Sequence, residues 1–388
     1  MYNFDQKIDR RGLSKKWDLP RYPAAADKPL SPMWIADMDF ATPDCVLNEI
    51  RARLEHPIFG YCDADPRFAQ AIIDWARVRR GVTDIRPEHI RCQNSALGGV
   101  VTAIQTLTRP GDPVLLHLPN YNGFTKAIAD SGRRLVGSPL VRDENGVFRI
   151  DLEDMDRRIQ AENIKCLLFC SPHNPTGRVW TREEIEAVCT LCEKRGVFIV
   201  SDEVWSDFVF APARHISTSQ VSPYAHEHTI TLNGASKTFN LAGLHASYSI
   251  VYNQELRQRY HQNSFASHCN APNTLSVAAL IGAYTGGEAY VDELVPYIRQ
   301  NMELVHSFIG REVPCVRSYL PEGTYTMWLD FTGTGRSEEE NSRRMGAQGL
   351  VINPAHDYNG DNWFRMNAAC PRSLAEQALQ QLKAAMVP

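Results

Sequence analysis

Between about residues 88 and 252 the chain alternates short, continuously apolar runs with longer amphipathic ones. Strand-like runs fall at 113–118, 134–140, 165–170, 197–201, 229–232 and 247–251. Unbroken apolarity over about four to eight residues is what a strand buried on both faces requires. Helical runs lie between several of them. The one that opens at Thr181-Arg182-Glu183-Glu184 carries a capping box and closes at Gly196. This alternation predicts an α/β fold: a mostly parallel sheet flanked by helices.

The pattern differs on either side of that stretch. Residues 1–32 are polar and carry prolines, and read as an arm rather than a core element. Met33-Trp34-Ile35-Ala36-Asp37-Met38-Asp39-Phe40 then leads to Thr42-Pro43, read as a helix N-cap followed by proline at the first helical position, with the helix running to about His56. Gly60 marks a turn within Pro57-Ile58-Phe59-Gly60-Tyr61, and a second helix runs from near Pro66 to Arg80, stopped by Gly81. After about Pro272 come longer helices, then shorter strands such as Tyr325–Phe331, then an amphipathic helix from Ser373. This predicts a smaller α+β domain joined by the N-terminal arm. The expected division is 1–50 for the arm and part of the small domain, 51–285 for the large domain and 286–388 for the small C-terminal domain. A chain of 388 residues exceeds what one core usually serves. There is no internal repeat.

Composition narrows the function classes. With 43% hydrophobic and 22% charged residues the chain has the make-up of a soluble globular protein, and its net charge of -4 gives no reason to expect nucleic acid or an anionic membrane as partner. No apolar run approaches the roughly 20 residues that span a bilayer. The first residues are polar, without a signal-peptide core, so the expected location is cytoplasmic. The ten cysteines are scattered, several within apolar segments (Cys166, Cys170, Cys192), and no pair has metal-ligand spacing. They read as small buried hydrophobes, with no metal expected.

Three stretches carry chemistry. In Asn233-Gly234-Ala235-Ser236-Lys237-Thr238-Phe239-Asn240-Leu241-Ala242-Gly243-Leu244 a lysine stands in a small-residue loop just past a strand. A lysine in a partly desolvated pocket has a lowered pKa and can attack an aldehyde. Upstream, the apolar run Val197-Phe198-Ile199-Val200-Ser201 ends in Asp202, at the strand end where ligands of open α/β sheets bind. Before that, a strand ending at Cys170 enters the turn Ser171-Pro172-His173-Asn174-Pro175-Thr176-Gly177.

Strand–Asn-Pro-Thr-Gly, strand–Asp and strand–Ser-Lys, in that order, resemble the fold-type I pyridoxal-phosphate enzymes of the aminotransferase class I/II superfamily. Trp34-Ile35-Ala36-Asp37-Met38-Asp39-Phe40, Ile58-Phe59-Gly60-Tyr61, Lys237–Leu244 and Phe364-Arg365-Met366-Asn367-Ala368-Ala369-Cys370-Pro371-Arg372-Ser373 narrow the resemblance to the MalY/PatB-type cystathionine β-lyases, its C–S lyase branch. The resemblance implies pyridoxal 5'-phosphate as cofactor. Lys237 would condense with its aldehyde and shuttle the substrate proton. Asp202 would pair with the pyridine nitrogen, Asn174 with the phenolic oxygen, and Tyr121 would stack on the ring. Ser95, Ala96 and Leu97 at a helix N-terminus, with Ser236, would hold the phosphate. Tyr61 would reach that phosphate from the other subunit of a homodimer. Arg365 would clamp the substrate α-carboxylate, with the backbone at Ala36 and Asp37 lining the same pocket.

The chain departs from the family at several of these places. His245 stands where many members carry a phosphate-binding arginine, a residue the C–S lyase branch also lacks. Asn94-Ser95-Ala96-Leu97 replaces Pro-Gly-Val-Val, Asn122-Gly123 replaces a proline after the stacking tyrosine, and Trp205 replaces His or Tyr. All surround the cofactor, and they point to a bulkier or specialised cysteine conjugate. The function expected is C–S β-elimination giving thiol, pyruvate and ammonia. The alternatives are an aminotransferase, a decarboxylating or deaminating enzyme acting on the same conjugate, and a regulatory ligand-binding protein on the same scaffold.

Overall fold

The computed structural model describes residues 1–388 apart from 26, 61–64, 145, 269, 270, 272 and 388. Seven strands form its central sheet: β1 (Ile90–Gln93), β2 (Pro113–Leu118), β3 (Arg134–Pro139), β4 (Cys166–Cys170), β5 (Phe198–Asp202), β6 (Thr229–Gly234) and β7 (Ser247–Ile250). Their spatial order is β1-β7-β6-β5-β4-β2-β3, with β7 antiparallel to both neighbours and the other pairs parallel. The continuous apolarity of the inner strands follows from burial on two sides. On β4, Cys166, Leu168 and Cys170 pack with Val100, Ile104 and Tyr260, while Leu167 and Phe169 face Met155, Ile159 and Ile185. The six expected strands are present, 113–118 with the expected ends and the others with ends displaced by at most two residues. β1 was not anticipated, because Arg91 and Gln93 interrupt its apolar run.

Local chemistry sets the helix ends. Thr181 and Glu184 form the capping box, and Gly196 ends that helix in the left-handed region at φ 62°. Gly81, at φ 68°, ends Pro66–Arg80 in the same way. The helix Asp44–Leu54 begins later than expected. Its cap is Pro43 and not Thr42, since Pro43 stays extended (ψ 152°) while its carbonyl accepts from the amides of Val46 and Leu47.

A second sheet holds β8 (Arg317–Ser318), β9 (Thr326–Asp330), β10 (Asn353–Pro354) and β11 (Trp363–Asn367), antiparallel in the order β8-β9-β11-β10. The arm is less peripheral than its polarity predicts. Ser31–Pro32 pairs with Leu350–Val351, Phe4 packs on Phe40, Tyr290 and Tyr297, and Lys16 is 1% exposed. Among the described residues no helix is long and apolar enough to cross a membrane, and the eight described cysteines are free.

Candidate active site

Strands β1, β2, β4, β5 and β6 point the same way, so their carboxyl ends meet at one edge of the sheet, the place where open α/β sheets bind ligands. Beyond these ends lie Ala96 and Leu97, Tyr121, Asn174, Asp202 and Lys237. With Trp205, Ser236 and His245 they line a cleft of about 970 Å³. Its opposite wall comes from Trp34 and Ala36 of the segment after the arm and from Asn353, Tyr358 and Arg365 of the second sheet and its loops. The sequence-predicted residues are thus brought together with three exceptions. Ser95 sits just behind the cleft, where its hydroxyl accepts from the Gly98 amide at 2.9 Å. Tyr61 lies outside the described residues. Asp37 turns away: its carboxylate meets Arg10 and Lys16, and its carbonyl accepts from Asn367 at 2.6 Å. Of the two backbone positions expected at the carboxylate pocket, Ala36 lines the cleft and Asp37 does not.

Lys237 Nζ donates to the carbonyl of Ala36 at 2.9 Å and lies 5.2 Å from the centre of the Trp205 ring. Burial and the positive charge of Arg365 lower its pKa to about 8, against the opposing pull of Asp37 and Asp202. An amine with that pKa is partly neutral near pH 7 and nucleophilic. Asp202 has the opposite perturbation. Burial raises its pKa to about 6, and its side chain's hydrogen-bond partner is the Val204 amide at 3.2 Å. A buried carboxylate without a cation bound directly to it is costly, and this one is aimed into a cleft.

Arg365 is 3% exposed and held from two sides. One terminal nitrogen donates to Asn174 Oδ1 at 3.0 Å, the other to the Trp34 carbonyl at 2.9 Å, and the guanidinium lies 5.0 Å from the centre of the Tyr358 ring. Its Nε has no protein partner. Fixing Asn174 Oδ1 on the arginine leaves the Asn174 amide nitrogen as the donor available to a ligand. Tyr121, 36% exposed, meets Phe124 edge-on at 5.3 Å, lies against Gly123 and lines the cleft.

These groups fit pyridoxal 5'-phosphate. The lone carboxylate of Asp202 matches a protonated ring nitrogen and the amine of Lys237 an aldehyde. The first amides of the helix Ala96–Leu107, capped by Ser95, match a phosphate, with Ser236 and His245 beside them.

Sequence reasoning missed most of the second wall. Tyr358 beneath Arg365 and Asn353, which donates to the Trp34 carbonyl at 3.0 Å, stand in stretches with no motif. Tyr325 was seen only as a strand residue, yet its hydroxyl shares the Ala36 carbonyl with Lys237, at 2.8 Å. Asn240 lay in a quoted motif without a role. Its side chain accepts from the Met38 amide and donates to the Met38 carbonyl, both at 2.8 Å.

The model of the family described as aminotransferase class I and II matches residues 34–382. The chain is 34% identical to cystathionine β-lyase PatB of Bacillus subtilis, over 99% of this chain and all of that protein. It is 31% identical to protein MalY of Escherichia coli, over 98% of each. Among solved structures, a PLP-bound C–S lyase from Staphylococcus hominis superposes with a TM-score of 0.91 at 31% identity, covering 100% of this chain and 99% of that one.

Proposed function

Because the chain belongs to the aminotransferase class I and II family, we propose that it is a pyridoxal 5'-phosphate-dependent C–S β-lyase acting on an S-substituted cysteine. The observation that carries this reading is the convergence of Lys237, Asp202, Asn174 and Arg365 on one cleft, in a chain alike over its full length to a named cystathionine β-lyase. The bound cofactor supplies an electron sink for the charge that develops at the substrate Cα.

The chain's own groups do the rest. Arg365 grips the α-carboxylate with its planar fork, already oriented by Asn174 and Trp34. Lys237 Nζ removes the Cα proton, and its low pKa keeps enough of it neutral for that task. With the cofactor bound, Asp202 would pair with the ring nitrogen, Asn174 would donate to the phenolic oxygen, and Tyr121 would cover one ring face. Trp205, 2% exposed and packed edge-on against Tyr325 at 4.6 Å, keeps water from the floor beneath Lys237. The thiolate then leaves from Cβ, needs little acid help as a good leaving group, and ends as a thiol with a proton equivalent to the one taken from Cα. The remaining 2-aminoacrylate is released and hydrolysed by water to pyruvate and ammonia.

The cleft of about 970 Å³ has to hold the cofactor and the amino-acid substrate together, and it lies at the upper end of the ~300–1,000 Å³ of ordinary ligand pockets. The reading extends to a homodimer that shares its site. Leu54, Ile58 and Phe59, close to Tyr61 in the chain, are at least half exposed, as an interface would use them. It also places the protein in the cytoplasm, where free cysteines are the rule.

The test is turnover of a panel of S-substituted cysteines without a 2-oxo acid. Equal yields of thiol, pyruvate and ammonia are expected. A requirement for a 2-oxo acid would replace this reading with an aminotransferase, release of carbon dioxide would replace it with a decarboxylase, and no turnover would leave a binding protein.

A further inference from the structure

Residues 34–39 form the link between the cleft and the N-terminal arm. Every carbonyl from Trp34 to Met38 is engaged. Trp34 receives Arg365 and Asn353, Ile35 receives Asn367, Ala36 receives Lys237 and Tyr325, Asp37 receives Asn367, and Met38 receives Asn240. On the arm side stands a compact charge cluster. Lys16 Nζ reaches Asp39 at 2.6 Å, the Asp37 carboxylate at 2.9 Å and the Asp37 carbonyl at 3.1 Å. Arg10 donates to Asp37 at 2.8 Å, Asp39 at 2.6 Å and the Met38 carbonyl at 3.0 Å. Trp17 Nε1 donates to Asp39 at 2.9 Å, and Trp34 Nε1 returns to the Lys16 carbonyl at 3.0 Å.

A lysine with 1% of its side chain exposed is held by neutralisation, not by solvent. Two cations here match two carboxylates, and the backbone just before those carboxylates, at Trp34 and Ala36, is the one that meets Arg365 and Lys237. We infer that Lys16 and Arg10 are positioning residues for the active site: they fix residues 34–39 so that the carbonyls of Ala36 and Trp34 meet Lys237 and Arg365. The arm then does more than cover the core. Its docking sets the acceptor for the reactive amine and one of the two tethers of the carboxylate clamp.

The arrangement is also electrostatic. Lys237 is faced by Asp202 from β5, Asp37 from the 34–39 segment, Arg365 from β11 and the Trp205 ring. Asp37 and Asp39 are faced by Arg10 and Lys16 from the arm, by Tyr325 near β9, and Asp39 also by Cys370. Burial pushes the Asp37 carboxyl up, but Arg10 and Lys16 more than offset this and hold it below the usual range. Taking away the Lys16 charge leaves these carboxylates less compensated. That change favours the protonated form of Lys237.

The test reads the amine itself, in the apoprotein, by the pH dependence of Lys237 acetylation with acetic anhydride followed by mass spectrometry. The wild type should show a midpoint near 8. In Lys16→Met the midpoint should rise by about one pH unit, so that acetylation at pH 8 slows about fivefold. Lys16→Arg, which keeps the charge, should return most of the shift. Arg10→Gln, at a less buried position, should raise the midpoint by a smaller amount and carries the test if Lys16→Met does not fold. A variant that melts earlier but keeps the wild-type midpoint, or moves it down, would overturn the inference and leave the cluster a structural one. The consequence for catalysis rests on Lys237 being the working amine. The readout does not depend on which reaction follows, so it can fail while the lyase reading stands, and the reverse.

Discussion

The two walls of the cleft are built by different means. The first is made of the carboxyl ends of parallel strands, and each of its working residues follows its strand by a few positions: Asn174 after β4, Asp202 at the end of β5, Lys237 after β6. The second is made of residues far apart in sequence that meet on one short segment. Arg365, Asn353, Tyr325 and Lys237 reach the carbonyls of Trp34 and Ala36 across separations of 331, 319, 289 and 201 positions. In the proposed reaction the strand-end wall would supply the acid–base groups. The assembled wall would orient them and hold the carboxylate clamp. Substitutions should separate the two: on the first wall they strike the chemical step, on the second they strike substrate binding and positioning.

The largest effect is expected for Lys237→Ala, which removes the proton-transferring group. Its kcat should fall by roughly 10⁴, measured as pyruvate release with cofactor and substrate saturating; a loss confined to KM would break the division. Next is Asp202→Asn. The variant should lose about 10²–10³ in kcat, and its apoprotein should be more stable than the wild type at neutral pH. The sign follows from linkage. The folded pKa of about 6 lies above the unfolded value, so the group's opposition to folding grows from the unfolded pKa upward and is complete above the folded one. The gain should reach ~3 kcal/mol at pH 7–8 and vanish as the pH falls toward 4, read from apoprotein denaturation at several pH values. A variant less stable at pH 8 would show that Asp202 is satisfied by the protein alone.

On the second wall Arg365→Lys keeps the charge but loses the fork. KM should rise about 30–100-fold with a smaller change in kcat, in steady-state assays with one conjugate. The smallest effect is expected for Tyr325→Phe, which removes one of two donors on the Ala36 carbonyl. It should lower kcat/KM about fivefold; a loss as large as that of Lys237→Ala would put Tyr325 in the chemistry itself.

The same division explains what the sequence disclosed. The strand-end wall is legible because an apolar run, its last residue and the turn after it are contiguous, and a lysine or aspartate there stands out against its neighbours. The sheet was legible for the same reason, except β1, whose Arg91 and Gln93 disrupt the pattern. The second wall leaves no such local trace. Its acceptors are backbone carbonyls, which every residue carries, and its donors stand in unremarkable contexts. Asp37 is the instructive case. Its place in a family motif beside Ala36 predicted a part in the carboxylate pocket, yet its carboxylate belongs to Arg10 and Lys16 in an arm whose polarity read as exposure. A buried ion cluster and a solvated surface use the same residue types, and their burial follows from long-range packing.

The central claim is that one amine at the end of β6, facing a buried carboxylate, binds the cofactor's aldehyde carbon. The most direct measurement is borohydride reduction of the holoprotein followed by peptide mapping. The pyridoxyl label should be found on Lys237 Nζ. A label on any other lysine, or none, would contradict the account.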